Sequence, residues 1–359
     1  MKYKIGYLGE WEQVPELIAV IYDRDFQELE KLMANGLDIN QKIKISHAIS
    51  LYPIEVAVYQ NDKEMLETLL RYGANLDCSS LDTAIRCADP EIAEMFVYQI
   101  KNLREDEKFR LFCSIGWGNR LENLEVLEKV GLKVSEYGGE AFRDIAFSRE
   151  PFLEYFDLLL KKNVDINFCK ADSVFVEGKT PVSVAASRNN FDLVKRLVEL
   201  GADITICDQY GERPYTHALR VNNIEMAEYL KALEPVEWHL EKEREIALKP
   251  YRLPKEMVEY LKTQPLLVEF PGYKDVKWLK FFSYMELREI KWKRRKYLSI
   301  VQEIHNYGSN CKILWNGKDK KLFGFDIEHE EIVELCGWNE FITDPGKWLN
   351  GYIRGELDE

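Results

Sequence analysis

The chain is 359 residues long and 46% hydrophobic, too long for one ordinary core, so two domains or a solenoid followed by a domain are expected. Its formal charge of −13 is uneven: residues 1–235 hold 28 Lys and Arg against 40 Asp and Glu, whereas residues 236–359 hold 21 against 22. An acidic first region repels the phosphates of nucleic acid and membranes and steers basic proteins toward itself, which argues for a basic protein partner, no nucleic acid and no membrane.

The opening stretch, Met1 to Glu10, lacks the apolar core of a signal peptide, and no later stretch approaches the roughly 18 apolar residues that span a bilayer. A repeated plan then appears. Tyr52-Pro-Ile-Glu-Val-Ala57 reads as a first helix, Asn61-Asp62 as a turn, and Leu66 to Leu70 as a second helix closed by Gly73-Ala74-Asn75. The plan is most regular at Lys179 to Asp203, where Thr180 caps the first helix, Pro181 sits in its first turn, Asn189-Asn190 turns the chain and Gly201 ends the second helix. It recurs at Arg213 to Ala218, Asn222-Asn223 and Met226 to Leu230. Gly36, Gly73, Gly131 and Gly201, with Asn163, mark unit ends, and the long gap after Gly73 holds a further unit whose second helix is Asp89 to Phe96. About seven units follow from this spacing. Each hairpin has one apolar face too small to close on itself, so neighbours must stack.

Beyond Glu234-Pro235 the period changes. Trp238 to Leu248 reads as a charged linking helix, Leu253 to Leu261 as a helix, Leu266 to Phe270 and Trp278 to Phe282 as strands, and Glu286 to Lys296 as a helix. Cys311 to Trp315, Leu322 to Asp326 and Glu331 to Leu335 alternate as antiparallel strands, with Asn316-Gly317 turning between the first two, and Pro345 to Tyr352 closes the chain as a helix. The expected division is 1–235 for the repeats, 236–250 for a linker helix and 251–359 for an α+β domain with one antiparallel sheet.

The units resemble the ankyrin repeat family, whose pattern T-P-L-H-x-A, helical hairpin, G-A-D is matched by Thr180-Pro181 with Gly201-Ala202-Asp203, by Tyr52-Pro53 with Gly73-Ala74-Asn75, and by Arg213-Pro214. Glu55, Ser183 and Thr216 stand where the family has its buried His, which makes these divergent repeats. The resemblance implies an α solenoid of about seven ankyrin repeats followed by the small α+β domain. In that domain the order Leu253-Pro254, Glu256, Leu261, a Trp/Phe-rich strand, Glu286-Leu287, the Phe323 to His329 hairpin and a closing Phe341 to Leu349 helix is similar to the SUKH superfamily. Together the two resemblances imply an immunity protein of a bacterial toxin system, neutralising a basic toxin by stoichiometric binding. The ankyrin resemblance alone implies a scaffold or regulatory adaptor.

Aligning the units on Thr180-Pro181 places Tyr22, Tyr59, Arg86, Trp117, Arg188 and Arg220 where first helices end on the concave side. Tyr, Trp and Arg anchor protein interfaces because each buries a large area while keeping a polar tip. Gln209, Tyr210 and Glu212 occupy a hairpin tip of the kind through which ankyrin proteins touch partners. Tyr22, Tyr59, Trp117, Arg188, Gln209, Tyr210, Glu212 and Arg220 form the expected partner-binding set. The basic run Lys291 to Lys296 reads as a solvated helix face rather than a nucleic-acid patch, and Glu328-His-Glu-Glu331 as a turn rather than a metal cluster. Seven scattered cysteines signal neither a disulfide framework nor a zinc site and fit a reducing cytoplasm. The five histidines lie at no catalytic spacing, so no catalytic residue, metal or cofactor is expected, and a monomeric, non-enzymatic binder is the reading.

Overall fold

The computed structural model describes residues 2–76, 78–307 and 311–357. It divides into two compact units, residues 1–168 and 169–359.

The first unit opens on a hairpin of β1 (Tyr3–Ile5) and β2 (Gly9–Trp11), to which the sequence reading assigned no element. Helix pairs follow: α1 (Glu16–Tyr22) with α2 (Phe26–Ala34), then, after the short ladder β3 (Ile43–Lys44) and β4 (Ser50–Leu51), α3 (Pro53–Tyr59) with α4 (Lys63–Arg71). α5 (Cys78–Cys87) pairs with α6 (Pro90–Phe96) and α7 (Glu105–Gly118) with α8 (Asn123–Lys129). A short α9 (Val134–Tyr137) precedes α10 (Gly139–Phe147) and α11 (Leu153–Lys161). The second unit begins with two more pairs, α12 (Pro181–Ser187) with α13 (Phe191–Glu199), and α14 (Pro214–Arg220) with α15 (Ile224–Leu233).

One local device makes four of these pairs. After the first helix the chain takes a left-handed residue, Arg24, Asn61, Asn189 or Asn222. The next side chain, Asp25, Asp62, Asn190 or Asn223, then accepts the backbone N–H three residues on and caps the second helix. A left-handed Gly36, Gly73, Gly131, Asn163 or Gly201 lies just past the second helix. Burial separates the two helices of a pair. The middles of α3 and α12 are buried on all sides, because each is covered by its own partner and by neighbouring first helices, whereas α4 and α13 bury only stripes, Met65, Leu66, Leu69 and Leu193, Val194, Leu197. First helices pack in series, α1 on α3, α3 on α5, α5 on α7 and α7 on α10 in the first unit, and α12 on α14 in the second. Polar stitches run between neighbours: Asn61 Oδ1 accepts the Asp89 N–H at 2.8 Å, and Asn223 Nδ2 donates to Asn189 Oδ1 at 2.7 Å.

The second unit continues through α16 (Glu241–Leu248) and α17 (Lys255–Thr263). Strands β5 (Leu267–Glu269), β6 (Trp278–Phe281), β7 (Arg288–Trp292), β8 (Arg295–Ser299), β9 (Val301–Ile304), β10 (Cys311–Asn316), β11 (Lys321–Asp326) and β12 (Glu331–Glu334) follow, then α18 (Trp338–Thr343) and α19 (Pro345–Ile353). Among the described residues the strands form two antiparallel sheets, in the orders β12-β11-β10-β8-β7 and β5-β6-β9, where one was expected. The segment expected as a helix from Glu286 to Lys296 is instead the β7–β8 hairpin. Its turn residues Lys293 and Arg294 both have positive φ, the signature of a tight hairpin turn, and Ile290 and Tyr297 face each other inside it. The segment 236–250 holds the helix α16 and packs within the second unit. Arg213 donates from Nε and Nη2, one edge of its guanidinium, to the two Glu234 oxygens at 2.5 and 3.0 Å, Tyr215 meets His239 edge-on at 5.3 Å, and Arg244 donates to the Leu287 carbonyl.

Candidate partner-binding face

The first unit carries 20 Lys and Arg against 30 Asp and Glu, so most of the chain's net negative charge lies there. On it, the ends of α1, α3, α5 and α7 present Tyr22, Tyr59, Arg86 and Trp117, the positions read from the repeat alignment. The N-terminal hairpin lies over two of them. Tyr3 meets Tyr22 edge-on at 5.2 Å and the Lys4 N–H donates to the Tyr22 hydroxyl at 3.2 Å, while Tyr7 meets Tyr59 edge-on at 5.8 Å. Burial, with the Tyr7 hydroxyl beside it, raises the Tyr59 phenol above its ordinary value. Tyr22 and Tyr59 are therefore engaged within the chain, and the surface they were expected to offer passes to Tyr7.

From Tyr7 the stack continues outward. The Arg86 guanidinium lies 3.8 Å from the Tyr7 ring centroid and 5.6 Å from that of Trp117, and Arg86 Nη1 donates to the Tyr7 hydroxyl at 3.0 Å. Gly118 makes this meeting possible: a Cβ there would lie 1.6 Å from the Arg86 carbonyl oxygen, so only glycine lets the end of α7 close on the end of α5. Tyr7 and Trp117 are each 53% exposed. Beside them opens a cleft of about 450 Å³ whose lining includes Tyr7, Tyr59, Glu55, Asp82, Glu107 and Arg110. Asp82 and Glu107 against the one guanidinium of Arg110 make that cleft acidic, with Glu55 buried behind them holding the Tyr52 N–H and the Thr83 hydroxyl.

The remaining expected residues lie in the second unit. Arg188 is exposed at the end of α12. Gln209 is exposed, but its amide donates to the Val176 carbonyl at 3.0 Å. Tyr210 packs edge-on against Phe325 at 6.3 Å, and Glu212 is only 5% exposed, paired with Arg288 of β7. Glu212 thus has no surface to offer a partner, and most of Tyr210's ring is committed to the sheet. Arg220 donates from Nη2 to His217 Nδ1 at 2.7 Å. Nothing local announces these placements, since the pairing of Glu212 depends on a strand distant in sequence. The N-terminal hairpin did leave a signal, the alternation Tyr3, Ile5, Tyr7 with Gly6 and Gly9 between and after them.

The turn 327–330 joins β11 to β12, with Asp326 accepting the N–H groups of Glu328 and His329 at 2.9 and 3.2 Å and His329 Nδ1 lying 2.9 Å from Asp326. Among the described residues no group of three His, Cys, Asp or Glu side chains is placed to hold a metal ion, and no helix is long and apolar enough to cross a membrane.

Comparison with known proteins fits the helix pairs. The family description "Ankyrin repeats (3 copies)" matches residues 145–237, which include α12 to α15. This chain contains ankyrin repeats. An ankyrin repeat protein of Rickettsia bellii is 41% identical over 54 residues, 15% of this chain and 32% of its own length. An ankyrin repeat protein of fowlpox virus is 25% identical over 242 residues, 64% of this chain and 38% of its own. The chain thus spans about a third of the length of these curated relatives. Ankyrin repeats point to a protein–protein interaction.

Proposed function

We propose that this chain is a non-catalytic protein-binding protein that takes a basic segment of its partner on the face formed by Tyr7, Arg86 and Trp117 and the acidic cleft beside them. The observation that carries this reading is the juxtaposition of a half-exposed Tyr–Arg–Trp stack with a cleft whose lining includes the half-buried carboxylates Asp82 and Glu107. Large rings supply buried area and the carboxylates supply sign, so a Lys- or Arg-bearing strand or loop fits both. An adaptor role follows from this directly, with the α+β region free to hold a second protein. The narrower reading, an immunity protein neutralising a basic toxin in the cytoplasm as a monomer, rests on the similarity of residues 251–359 to the SUKH superfamily and needs the same face.

The test starts with the partner captured from the source cell by the full chain. Trp117→Ala is expected to weaken that complex by about 1–3 kcal/mol, ten-fold or more in Kd, with the melting temperature unchanged because the ring is half exposed. Equal affinity for the Trp117→Ala and Arg86→Ala chains and the native one would remove this face from the interface.

A further inference from the structure

A second site lies wholly within the second unit. A partly open cavity of about 100 Å³ is lined by the hairpin tip 208–212, by His217 and Arg220 of α14 and by Lys312 of β10, with Val176 and Ile327 as its apolar walls. That space exceeds what one water needs and suits a small polyatomic ion. Its polar wall is unusual because charge is concentrated there at full burial: Lys312 and Glu212 are each 5% exposed and His217 is not exposed at all.

Most of these groups have partners. Glu212 pairs with Arg288 and receives the Thr216 hydroxyl at 3.1 Å, and Glu177 pairs with Lys179. Two atoms do not. Asp208 Oδ1 accepts the N–H groups of Tyr210 and Glu212, both at 2.9 Å, while Oδ2 is buried without a partner. His217 Nδ1 accepts from Arg220, which leaves the proton of the neutral ring on Nε2, and Nε2 is likewise buried without a partner. Burial drives the His217 pKa well down, which keeps the ring neutral. Lys312 adds a third group; its Nζ lies 5.1 Å from the centroid of the Tyr210 ring. In the lining Lys179, Arg220 and Lys312 match Glu177, Asp208 and Glu212 in number, and Arg288, which holds Glu212 from beyond the lining, tips the surroundings positive.

A fitting ligand is therefore an anion that also donates one hydrogen bond. Its bare oxygens accept from Lys312 and His217 Nε2–H, and its hydroxyl donates to Asp208 Oδ2. Buried polar atoms left unpaired are costly, and both of these belong to residues that line one cavity. We propose that this cavity binds a small tetrahedral oxyanion bearing a hydroxyl, the chemistry of inorganic hydrogen phosphate. Sulfate has the same shape and no hydroxyl, so it places a bare oxygen against the Asp208 carboxylate. The site stands independently of the partner-binding reading.

The experiment is isothermal titration of the full chain at about pH 8, where Asp208, its pKa pushed up to about 7, is ionised. Inorganic phosphate is expected to bind and to raise the melting temperature, and sulfate at equal ionic strength to bind at least about ten-fold more weakly, since a like-charged contact replaces a hydrogen bond. Methyl phosphate, a dianion without a hydroxyl at about pH 8 because its second pKa is about 6, is expected to bind as weakly as sulfate, and methyl phosphate bound as tightly as phosphate overturns the hydroxyl requirement. Lys312→Met, checked for folding by its melting curve, is expected to lose phosphate binding about ten-fold or more, and Asp208→Asn to gain sulfate binding. Absence of phosphate binding to the native chain, or sulfate bound as tightly as phosphate, overturns the proposal without recourse to any variant.

Discussion

Asp208 shows how one buried carboxylate sets a pH dependence. Burial, then the neighbouring Glu212 charge, push its pKa from 3.8 to about 7, against the pull of two backbone N–H donors and Lys312. Below the unfolded value the carboxyl is protonated in both states and costs nothing. As pH rises toward about 7 the folded chain keeps a proton that the unfolded chain has released, so stability falls, and above that the full cost stands, of the order of 4 kcal/mol at most. Asn at this position keeps an oxygen for the N–H groups of Tyr210 and Glu212 and carries no charge. The Asp208→Asn chain is therefore expected to melt above the native one at about pH 8, with the difference shrinking toward zero at about pH 4. Glu212 has the opposite sign: burial raises its pKa, but Arg288, Lys312 and Arg220 more than reverse that, so its contribution is lost in acid. Because Glu212 is present in both chains, the comparison subtracts it. A native chain that melts as high as the variant at about pH 8 would show that the cost is relieved by solvent reaching Oδ2.

The elements divide by whether their causes are local. Gly201 and Gly211 both have positive φ, +92° and +72°, yet a Cβ at Gly201 meets nothing within 4 Å, whereas one at Gly211 lies 3.0 Å from the Glu289 carbonyl oxygen and 3.2 Å from Arg288 Cβ. Gly201→Ala is expected to cost about 1 kcal/mol, the left-handed penalty alone. Gly211→Ala is expected to cost about 1–3 kcal/mol more, because the hairpin tip must lift from β7. Thermal melting of the two variants reads the difference, and equal losses would mean that the tip is not held against the strand. This contrast also marks what the sequence could disclose. Helix pairs were legible because Asp62, Asn190 and Asn223 cap the helices they begin and Gly73 and Gly201 end them, all within a few residues. The β7–β8 hairpin was not, because Lys291, Lys293, Arg294, Arg295 and Lys296 mask the alternation of Ile290, Trp292 and Tyr297, and the pairing of β8 with β10 decides the matter. The candidate site was legible in position and not in occupancy: Tyr22, Tyr59, Arg86 and Trp117 do end their helices, but Tyr3 and Tyr7 come to two of them from a hairpin that no repeat alignment contains.

Across the whole molecule the acidity is concentrated rather than spread, with a net −10 in residues 1–168, from 20 basic and 30 acidic side chains, against −3 in the rest of the chain, from 29 and 32. A field of that size acts on a basic partner before any contact forms, so it governs the rate of association more than the lifetime of the complex. The Tyr7–Arg86–Trp117 stack acts only after contact and governs the lifetime. The two contributions can therefore be separated on one partner. Raising ionic strength from about 0.05 M to about 0.5 M is expected to slow association by about ten-fold or more, as the screening length falls below the distance at which the field steers, while dissociation changes little. Trp117→Ala should do the reverse, speeding dissociation and leaving association and its salt slope as they were. Rates measured by surface-immobilised binding across a salt series distinguish these outcomes. An association rate indifferent to salt would mean that the charge of the first unit serves solubility alone, and that the face selects its partner by shape and aromatic area without electrostatic guidance.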